Sequence, residues 1–418
     1  MSTPDHAQTP AKERAILLVL TAVQFTHVLD FIIMMPLGHH LMRVFAIDPA
    51  HFSYLVAAYG IAAALTGFAG GFVLDRFDRK HALLALYSGF GLATLACALA
   101  SNYAALLVAR FAAGAFGGVS SSLVTAMVGD IIPAARRGRA MSMVMTAFPI
   151  ASVLGVPLGL LLTDSFEWHA PFFLLGGLSV GVLALGATVL PRLRALHAPV
   201  HPWKQMTVIL SLPIHRRAFL MSAALVFAGG TIIPFLADSM VANVGLAESQ
   251  LLFIYLGGGL CTFAAMPVIG RLTDRHDKLH VLGWLSLGAS AVVLILTNLP
   301  PAPLLVATLM TAVFMVTMSG RFAPAMTMVS NAIENRYRGG FMSVNSSVQQ
   351  PATGLANLTA GLLVTSDAAG HLVGYPRLGA VAVACFGLTF WLASRLRAMA
   401  PHAAQPGHLA AAISPVLD

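Results

Sequence analysis

The chain has 418 residues, of which 58% are hydrophobic and 10% are charged, with a formal net charge of +8. Mean hydropathy is +0.82. These values exclude an ordinary soluble globular protein, in which about half of the residues are apolar and about a quarter are charged.

Long apolar stretches recur through the whole sequence. Each is long enough to cross a hydrocarbon core of about 30 Å as a helix. Many Gly and Ala residues lie within them, as expected where helices pack closely in lipid. We predict an all-α membrane protein with twelve transmembrane helices. In chain order the stretches are approximately 15–37, 53–74, 82–101, 104–129, 140–163, 170–191, 217–239, 249–271, 280–298, 302–329, 340–365 and 375–396.

One short polar loop occurs twice. The segments Gly71–Lys80 and Gly270–Lys278 share a Gly-x-x-x-Asp-Arg-x-Asp pattern and start 199 residues apart, and Pro36 and Pro234 are related by nearly the same offset. A parallel repeat of this size is typical of transporters, in which two equivalent halves rock about a site between them. Prolines inside the spans are candidate bending points. We predict two pseudo-symmetric six-helix bundles with these boundaries: disordered tail 1–14, first bundle 15–191, linker 192–216, second bundle 217–396 and disordered tail 397–418.

The basic residues explain the net charge. With the N-terminus placed in the cytoplasm, 20 of the 24 Lys and Arg residues fall in inward segments, whereas Arg43 and Arg377 are outward and Arg110 and Arg321 lie within helices. This is the positive-inside asymmetry. It predicts a multi-pass protein of the cell inner (plasma) membrane with both termini cytoplasmic, and it gives no reason to expect a nucleic-acid partner.

The repeated loop carries a resemblance to a known family. Gly71, Asp75, Arg76, Arg79 and Lys80 match the signature between helices 2 and 3 of the major facilitator superfamily, and the chain resembles its twelve-helix drug:proton antiporter branch. The pattern departs at Asp78, where the family usually has glycine. Asp277 repeats this departure in the second copy.

The resemblance implies that this loop is a conformational latch. An Asp at the cytoplasmic mouth can meet the positive end of a helix, and Arg79 can pair with Asp130, which we expect only when the cytoplasmic side is closed. The alternative is a solvated charge cluster that sets topology. The latch residues are Gly71, Asp75, Arg76, Arg79 and Asp130, with Asp274 and Arg275 in the second copy.

Two further elements resemble the same family. Arg110 opens an Arg-x-x-x-Gly-x-x-Gly-Gly element, and the family associates this arginine with proton transfer; a snorkelling arginine is the alternative. Gly155-Val-Pro157-Leu-Gly159 is similar to the Gly-Pro element of antiporters and favours export. Ordinary close packing of small residues is the alternative reading.

The first helix carries Gln24, His27 and Asp30 on one face. Asp30 is, by our sequence reading, the one acid clearly within the membrane core. Intramembrane carboxylates usually have a function, so we predict that Asp30 binds the coupling proton and that His27 senses it. A structural Asp, hydrogen-bonded between helices, is the alternative.

Side chains from several helices are expected to line a central cavity. Methionines and aromatics can adapt to varied apolar ligands, although they are more often plain packing residues. Arg321 could pair with Asp30 or bind an anionic substrate. The side-chain amides could instead simply hydrogen-bond one helix to another. The predicted cavity residues are Gln24, Phe31, Met34, Met35, Phe227, Phe235, Arg321, Asn345, Gln349 and Gln350.

These features together predict a proton-coupled efflux antiporter that exports amphipathic small molecules or drugs by alternating access. A sugar or metabolite exporter is the alternative on the same scaffold, and a transport-dead receptor is the alternative from another class. No catalytic or metal-binding motif is visible, so we expect neither an enzyme nor a cofactor. The expected partners are a small-molecule substrate, protons and the lipid bilayer, with the protein as a monomer.

Overall fold

The computed structural model describes residues 10–73, 77–132, 136–191, 207 and 209–405, and nearly all of them are helical. The helices of the first half are α1 (Pro10–Ile33), α2 (Gly38–Val44), α3 (Pro49–Val73), α4 (Arg79–Ala98), α5 (Tyr103–Ile131), α6 (Arg137–Met145), α7 (Ala147–Ile150), α8 (Val156–Phe166) and α9 (Ala170–Val189). Those of the second half are α10 (Pro213–Ile232), α11 (Leu236–Ala242), α12 (Leu251–Arg275), α13 (Lys278–Thr297), α14 (Leu304–Gly320), α15 (Phe322–Ala332), α16 (Asn335–Leu363) and α17 (Tyr375–Met399).

Short elements connect these helices. They are a π-helical turn (Ala151–Gly155), 3-10 turns at Ile233–Phe235, Glu248–Gln250 and Pro401–Ala403, and an antiparallel ribbon of β1 (Thr365–Ser366) and β2 (Leu372–Val373).

Ten described helical segments are long and apolar enough to span a membrane. The prediction of twelve is therefore not exact by this measure, and two of the predicted crossings differ from the rest. The fifth is divided into α6, α7, the π-helical turn and α8, and the eleventh, α16, is amphipathic rather than uniformly apolar.

The two halves repeat the same packing. In the first half α3 packs on α5, and α4 and α1 both pack on α9; in the second half α12 packs on α14, and α13 and α10 both pack on α17. The halves meet where α3 contacts α16, where α8 contacts α12 and where α2 contacts α11. This arrangement confirms the predicted all-α fold of two related bundles.

Large apolar side chains cover the outside of the bundle. Leu92, Trp284 and Leu362 are each about 70% exposed, at 69%, 75% and 72%. Exposing such an apolar surface to water would be unfavourable, whereas contact with apolar lipid tails is not. The chain therefore presents a lipid-facing exterior around a core that lies within and between the halves.

The paired prolines break their helices at equivalent places. Pro36 lies between α1 and α2, and Pro234 lies in the 3-10 turn between α10 and α11. Proline lacks the N–H that a continuing helix needs, so each helix ends and restarts. The prediction that Pro36 and Pro234 are bending points is confirmed. We call the end of the bundle with α2 and α11 the distal end, and the end where α1 starts the terminal end.

Aspartates cap the helices that follow the repeated loop. Asp78 accepts a hydrogen bond from the backbone N–H of His81 at 3.0 Å, and Asp277 accepts one from that of Leu279 at 2.9 Å. Both caps have nearly the same backbone angles, with φ near −60°. Since φ is negative, neither position needs glycine, and the departure from the family pattern provides an N-cap.

Helices extend into both predicted tails. α1 begins at Pro10 rather than at residue 15, and α17 continues to Met399, followed by a 3-10 turn. The backbone N–H of Lys278 donates to the carbonyl of Ala404 at 2.8 Å, which fixes this turn against α13. Residues 192–206 of the predicted linker lie outside the described residues.

Candidate proton site and central cavity

A buried ion pair joins α1 to α5. Arg110 Nη1 lies 2.7 Å from Asp30 Oδ2 and 3.1 Å from the backbone oxygen of Asp30, and both side chains are fully buried. A charge-assisted hydrogen bond in such a place is strong and short. Burial and this pairing rule out the snorkelling interpretation of Arg110.

Two more side chains complete the surroundings of the pair. Thr94 of α4 donates to Asp30 Oδ1 over 3.4 Å, and the guanidinium carbon of Arg110 lies 4.7 Å from the ring centre of Tyr59 on α3. The aromatic face stabilises the cation without neutralising it. Four helices of the first half therefore meet at one carboxylate and one guanidinium.

His27 lies one turn from Asp30 but in different surroundings. Its ring packs edge-on against the rings of Phe90 and Tyr87, with distances between ring centres of 4.3 Å and 5.6 Å. Neither ring nitrogen has a hydrogen-bond partner among the described residues. His27 therefore packs between aromatic rings and makes no hydrogen bond to Asp30.

A cavity of about 250 Å³ lies between the halves, bordered by α1, α8, α12 and α14. Its walls are mainly apolar, with a few hydroxyl groups and, among the described residues, no charged side chain. Lining residues include Phe31, Met35, Phe148, Val156, Tyr255, Phe263, Met315 and Met318.

Helix α1 contacts the ion pair, the cavity and α8 with three different faces. Asp30 points to α5, while Phe31 and Met35 line the cavity. Leu29 and Ile33 pack towards the Gly155–Gly159 segment, where a side chain at Gly155 would start 2.7 Å from a methyl of Leu29. One helix therefore contributes to the ion pair, to the cavity wall and to the contact with α8.

The predicted antiporter element has an irregular backbone. Gly155 ends the π-helical turn, Pro157 lies in the first turn of α8, and Gly159 lies directly against Ile33. A single π turn is often found at functional sites, and proline disrupts the preceding hydrogen bonds. Close approach to α1 explains why Gly155 and Gly159 carry no side chain.

The remaining predicted cavity residues lie in varied places. Gln24 Oε1 accepts a hydrogen bond from the Ser121 hydroxyl at 2.9 Å. Asn345 is buried near Met326. Phe235 packs against Phe52 at the distal end, with 6.0 Å between the ring centres. Met34 is buried and Gln350 is exposed. Phe31 and Met35 are the two predicted residues that line the cavity described above; Phe227 and Gln349 are partly buried elsewhere.

Arg321 is buried at the break between α14 and α15. Its guanidinium carbon lies 4.0 Å from the ring centre of Phe386, and Nη1 lies 3.4 Å from the sulfur of Met318. Asp30 already pairs with Arg110. The predicted pairing of Arg321 with Asp30 is therefore not formed in this structure.

The structure describes part of the set of predicted latch residues. Arg79 forms an ion pair with Asp130, both in the first half. Asp75 and Arg76 lie outside the described residues, while Gly71 lies near the end of α3. In the second copy Asp274 and Arg275 are exposed at the end of α12, and Asp277 pairs with Arg397 at 2.9 Å.

Sequence reasoning missed a second acid within the membrane. Asp238 lies in α11, inside the span Pro213–Ala242, and is fully buried. The statement that Asp30 is the one intramembrane acid is therefore wrong. The signal was weak, because Asp238 is the second-to-last residue of the predicted seventh helix, 217–239.

Comparison with known proteins agrees with this architecture. The sequence model of the Major Facilitator Superfamily matches residues 20–356. A Bacillus subtilis (strain 168) protein described as an uncharacterized MFS-type transporter, YceJ, is 28% identical over 356 residues, covering 82% of this chain and 88% of that protein.

Solved structures show the same fold at low identity. A D-xylose–proton symporter superposes with a TM-score of 0.74 at 16% identity, covering 92% of this chain and 97% of its own. A bacterial homologue of the human lysosomal transporter Spinster, in an inward-facing and unoccupied conformation, gives 0.70 at 16% identity and covers 97% and 98%.

The chain belongs to the major facilitator superfamily. It is thus a multi-pass membrane protein of a family of transporters rather than of enzymes.

Proposed function

We propose that this protein is a proton-coupled antiporter that exports amphipathic small molecules by alternating access. The observation that carries the proposal is the Asp30–Arg110 pair, a buried carboxylate and guanidinium on the helix that also lines the apolar cavity. A carboxylate that loads and releases one proton can connect a proton gradient to the movement of that helix.

The exchange begins with the ionised carboxylate held by Arg110. Protonation of Asp30 cancels its charge and weakens the charge-assisted hydrogen bond. Arg110 then keeps the backbone oxygen of Asp30 and the ring of Tyr59 as partners. The constraint between α1 and α5 is relaxed by a single proton.

The cavity responds because α1 is shared. Phe31 and Met35 move with Asp30, so a substrate that fills the cavity and a proton on Asp30 favour different positions of the helix. Each ligand shifts the equilibrium by its differential affinity for the two positions. Because of this competition, we expect the protein to exchange substrate for protons rather than to transport both in the same direction.

The wall chemistry supports an amphipathic substrate. Methionine and aromatic side chains give an adaptable apolar surface, and the few hydroxyls supply hydrogen bonds without charge. A sugar exporter is the second candidate, but its substrate needs many fixed polar partners, and the lining offers few.

The sidedness of the proposal rests on the basic residues. The loop that contains Arg79, and the ends of α12 and α17 with Arg275 and Arg397, lie at the terminal end. By the positive-inside rule this end faces the cytoplasm of the cell, and the distal end faces outward.

Transport by purified protein in liposomes tests the function. Vesicles with an internal pH dye and an outward-directed gradient of a rhodamine or acridine dye should show proton movement opposite to dye movement. The Asp30→Asn variant should bind dye but fail to accumulate it on a pH gradient. Glu167→Gln, an exposed carboxylate away from the pair, is the matched control and should behave as wild type. Dye-independent proton leak, or uphill transport by Asp30→Asn, would contradict the proposal.

A further inference from the structure

Charged side chains join the two halves at the distal end. Arg43 Nη1 of α2 donates to Glu248 Oε1 across 2.7 Å, and the rings of His39 and His40 lie 3.7 and 3.6 Å from the same carboxylate. We call His39, His40, Arg43, Asp238 and Glu248 the distal cluster. These contacts hold the distal ends of the halves together in this structure.

Asp238 is the buried member of the distal cluster. Its side chain is fully buried, and neither carboxylate oxygen has a hydrogen-bond partner among the described residues. Nδ1 of His39 lies 3.9 Å from Oδ1 of Asp238. No described arginine or lysine pairs with Asp238, in contrast to Asp30.

The carboxyl group contacts the opposite half directly. A methyl group at Gly38 of α2 would lie 2.7 Å from Asp238 Oδ2 and 2.8 Å from the ring of Phe52. The absence of a side chain at Gly38 therefore lets α11 close onto α2. Asp238 reaches water only if this contact opens.

An ionised carboxylate in this position would be very unfavourable. Its charge would be fully buried, with no hydrogen-bond donor to either oxygen among the described residues, and such groups usually take up a proton instead. The neutral carboxylic acid is therefore the form of Asp238 that suits the closed distal end. An open distal end would hydrate the group and allow it to ionise.

We propose that Asp238 is a second proton-binding site, loaded from the distal side, and that its protonation closes the distal end. In the binding step the carboxylate takes one proton from the distal solution and becomes a carboxylic acid; no other bond changes. This goes beyond the proposed function, because it requires neither Asp30 nor any particular substrate.

The neighbours of Asp238 allow this role. On α2 they are His39, His40 and Arg43, while Glu248 precedes α12, pairs with Arg43 and acts electrostatically on Asp238. Among the described residues, Tyr255 of α12 and Tyr375 of α17 also lie within electrostatic range of Asp238, and Asp164 of α8 lies within range of Glu248.

Distances between spin labels on the two halves test the proposal. Labels at Ser101→Cys and Asn298→Cys lie in distal loops of the first and second halves, in a background lacking Cys97, Cys261 and Cys385. Double electron–electron resonance is measured in lipid nanodiscs between about pH 5 and about pH 8. The wild type should shift to the short distance as pH falls, with the closed-to-open ratio changing by up to about tenfold per pH unit for one linked proton.

Substitutions distinguish the effect of protonating Asp238 from the effect of packing at Gly38. Asp238→Asn, a neutral side chain of the same shape, should lose the closure on acidification and stay closed at high pH. Gly38→Ala should favour the long distance at every pH, because its methyl meets the carboxyl and Phe52. Gly177→Ala, with nothing near its added methyl, is the matched control.

Two outcomes would overturn the proposal. One is a wild-type distance distribution that does not change with pH; the other is an Asp238→Asn protein that still closes as pH falls. Because the labels report conformation without substrate, either result leaves the Asp30 exchange mechanism to be judged separately. A melting temperature of Asp238→Asn at or above that of wild type shows that the variant is folded.

Discussion

Arg110 donates to both the carboxylate and the backbone oxygen of Asp30, so one guanidinium fixes the side chain and the helix that carries it. The distances are 2.7 and 3.1 Å. Proton binding at this carboxylate therefore acts on the position of α1 itself.

Removing one member of the pair should destabilise the protein more than removing both. Asp30→Asn leaves Arg110 buried without a counter-charge, at a cost of about 3–5 kcal/mol. Asp30→Asn combined with Arg110→Gln should regain much of this stability, yet neither variant should accumulate substrate. Thermal unfolding of the single and double variants in detergent gives the coupling energy. Equal melting temperatures for single and double variants would show that the pair is not coupled.

Side chains added at the antiporter element should push α1 away from α8. Gly155→Val places methyls against Leu29, and overpacking of this kind typically costs about 1–3 kcal/mol. We expect slower transport with substrate binding weakened, because Phe31 and Met35 move with α1. Gly181→Ala, which has open space around its added methyl, is the control and should leave transport unchanged. A Gly155→Val protein with wild-type transport would argue against coupling through this contact.

The Arg79–Asp130 pair should affect conformation more than stability. It is partly exposed, so its loss should change the free energy of unfolding by about 0–1 kcal/mol. Arg79→Gln should nevertheless change the distance between labels at Phe77→Cys and His276→Cys, which occupy equivalent positions at the terminal end. The exposed Glu13–Arg136 pair offers a control, Glu13→Gln. Unchanged distances in Arg79→Gln would remove the latch role.

His39 should give the distal end a pH dependence of opposite sign to that of Asp238. Burial lowers the pKa of His39 below its ordinary value of 6.5, while Glu248 acts in the opposite direction. The closed distal end thus favours neutral His39; this contribution is fully present above the ordinary pKa and is lost as pH falls below it through the lowered pKa of the closed form.

Two variants separate the contributions of His39 and Asp238. In Asp238→Asn the closed fraction should fall, rather than rise, on acidification. In His39→Gln closure on acidification should become steeper. Spin-label distances at the distal end measure both effects, and the same sign of pH dependence in both variants would contradict this assignment.

The sequence predicted those features that depend on local patterns. The offset between Pro36 and Pro234 indicated two equivalent breaks, and both exist. The sequence did not show which side chain pairs with Asp30, because Asp30 and Arg110 are 80 residues apart and their contact depends on the rotation of α1 and α5. Asp238 was overlooked although it lay in a predicted span, because its burial arises from contact with Gly38 in the other half. Cavity residues were only partly predicted for the same reason: periodicity shows that a helix has a polar or an apolar face, but not which neighbour that face meets.

The most direct test of the account is the number of protons released when substrate binds. Isothermal titration calorimetry with a rhodamine or acridine dye that raises the melting temperature, repeated in buffers of different ionisation enthalpy, gives that number. Wild-type protein should release up to one proton per dye molecule at pH values where Asp30 is protonated before binding, and Asp30→Asn should release none while still binding. Release of the same number of protons by Asp30→Asn would contradict the claim that Asp30 exchanges its proton for substrate.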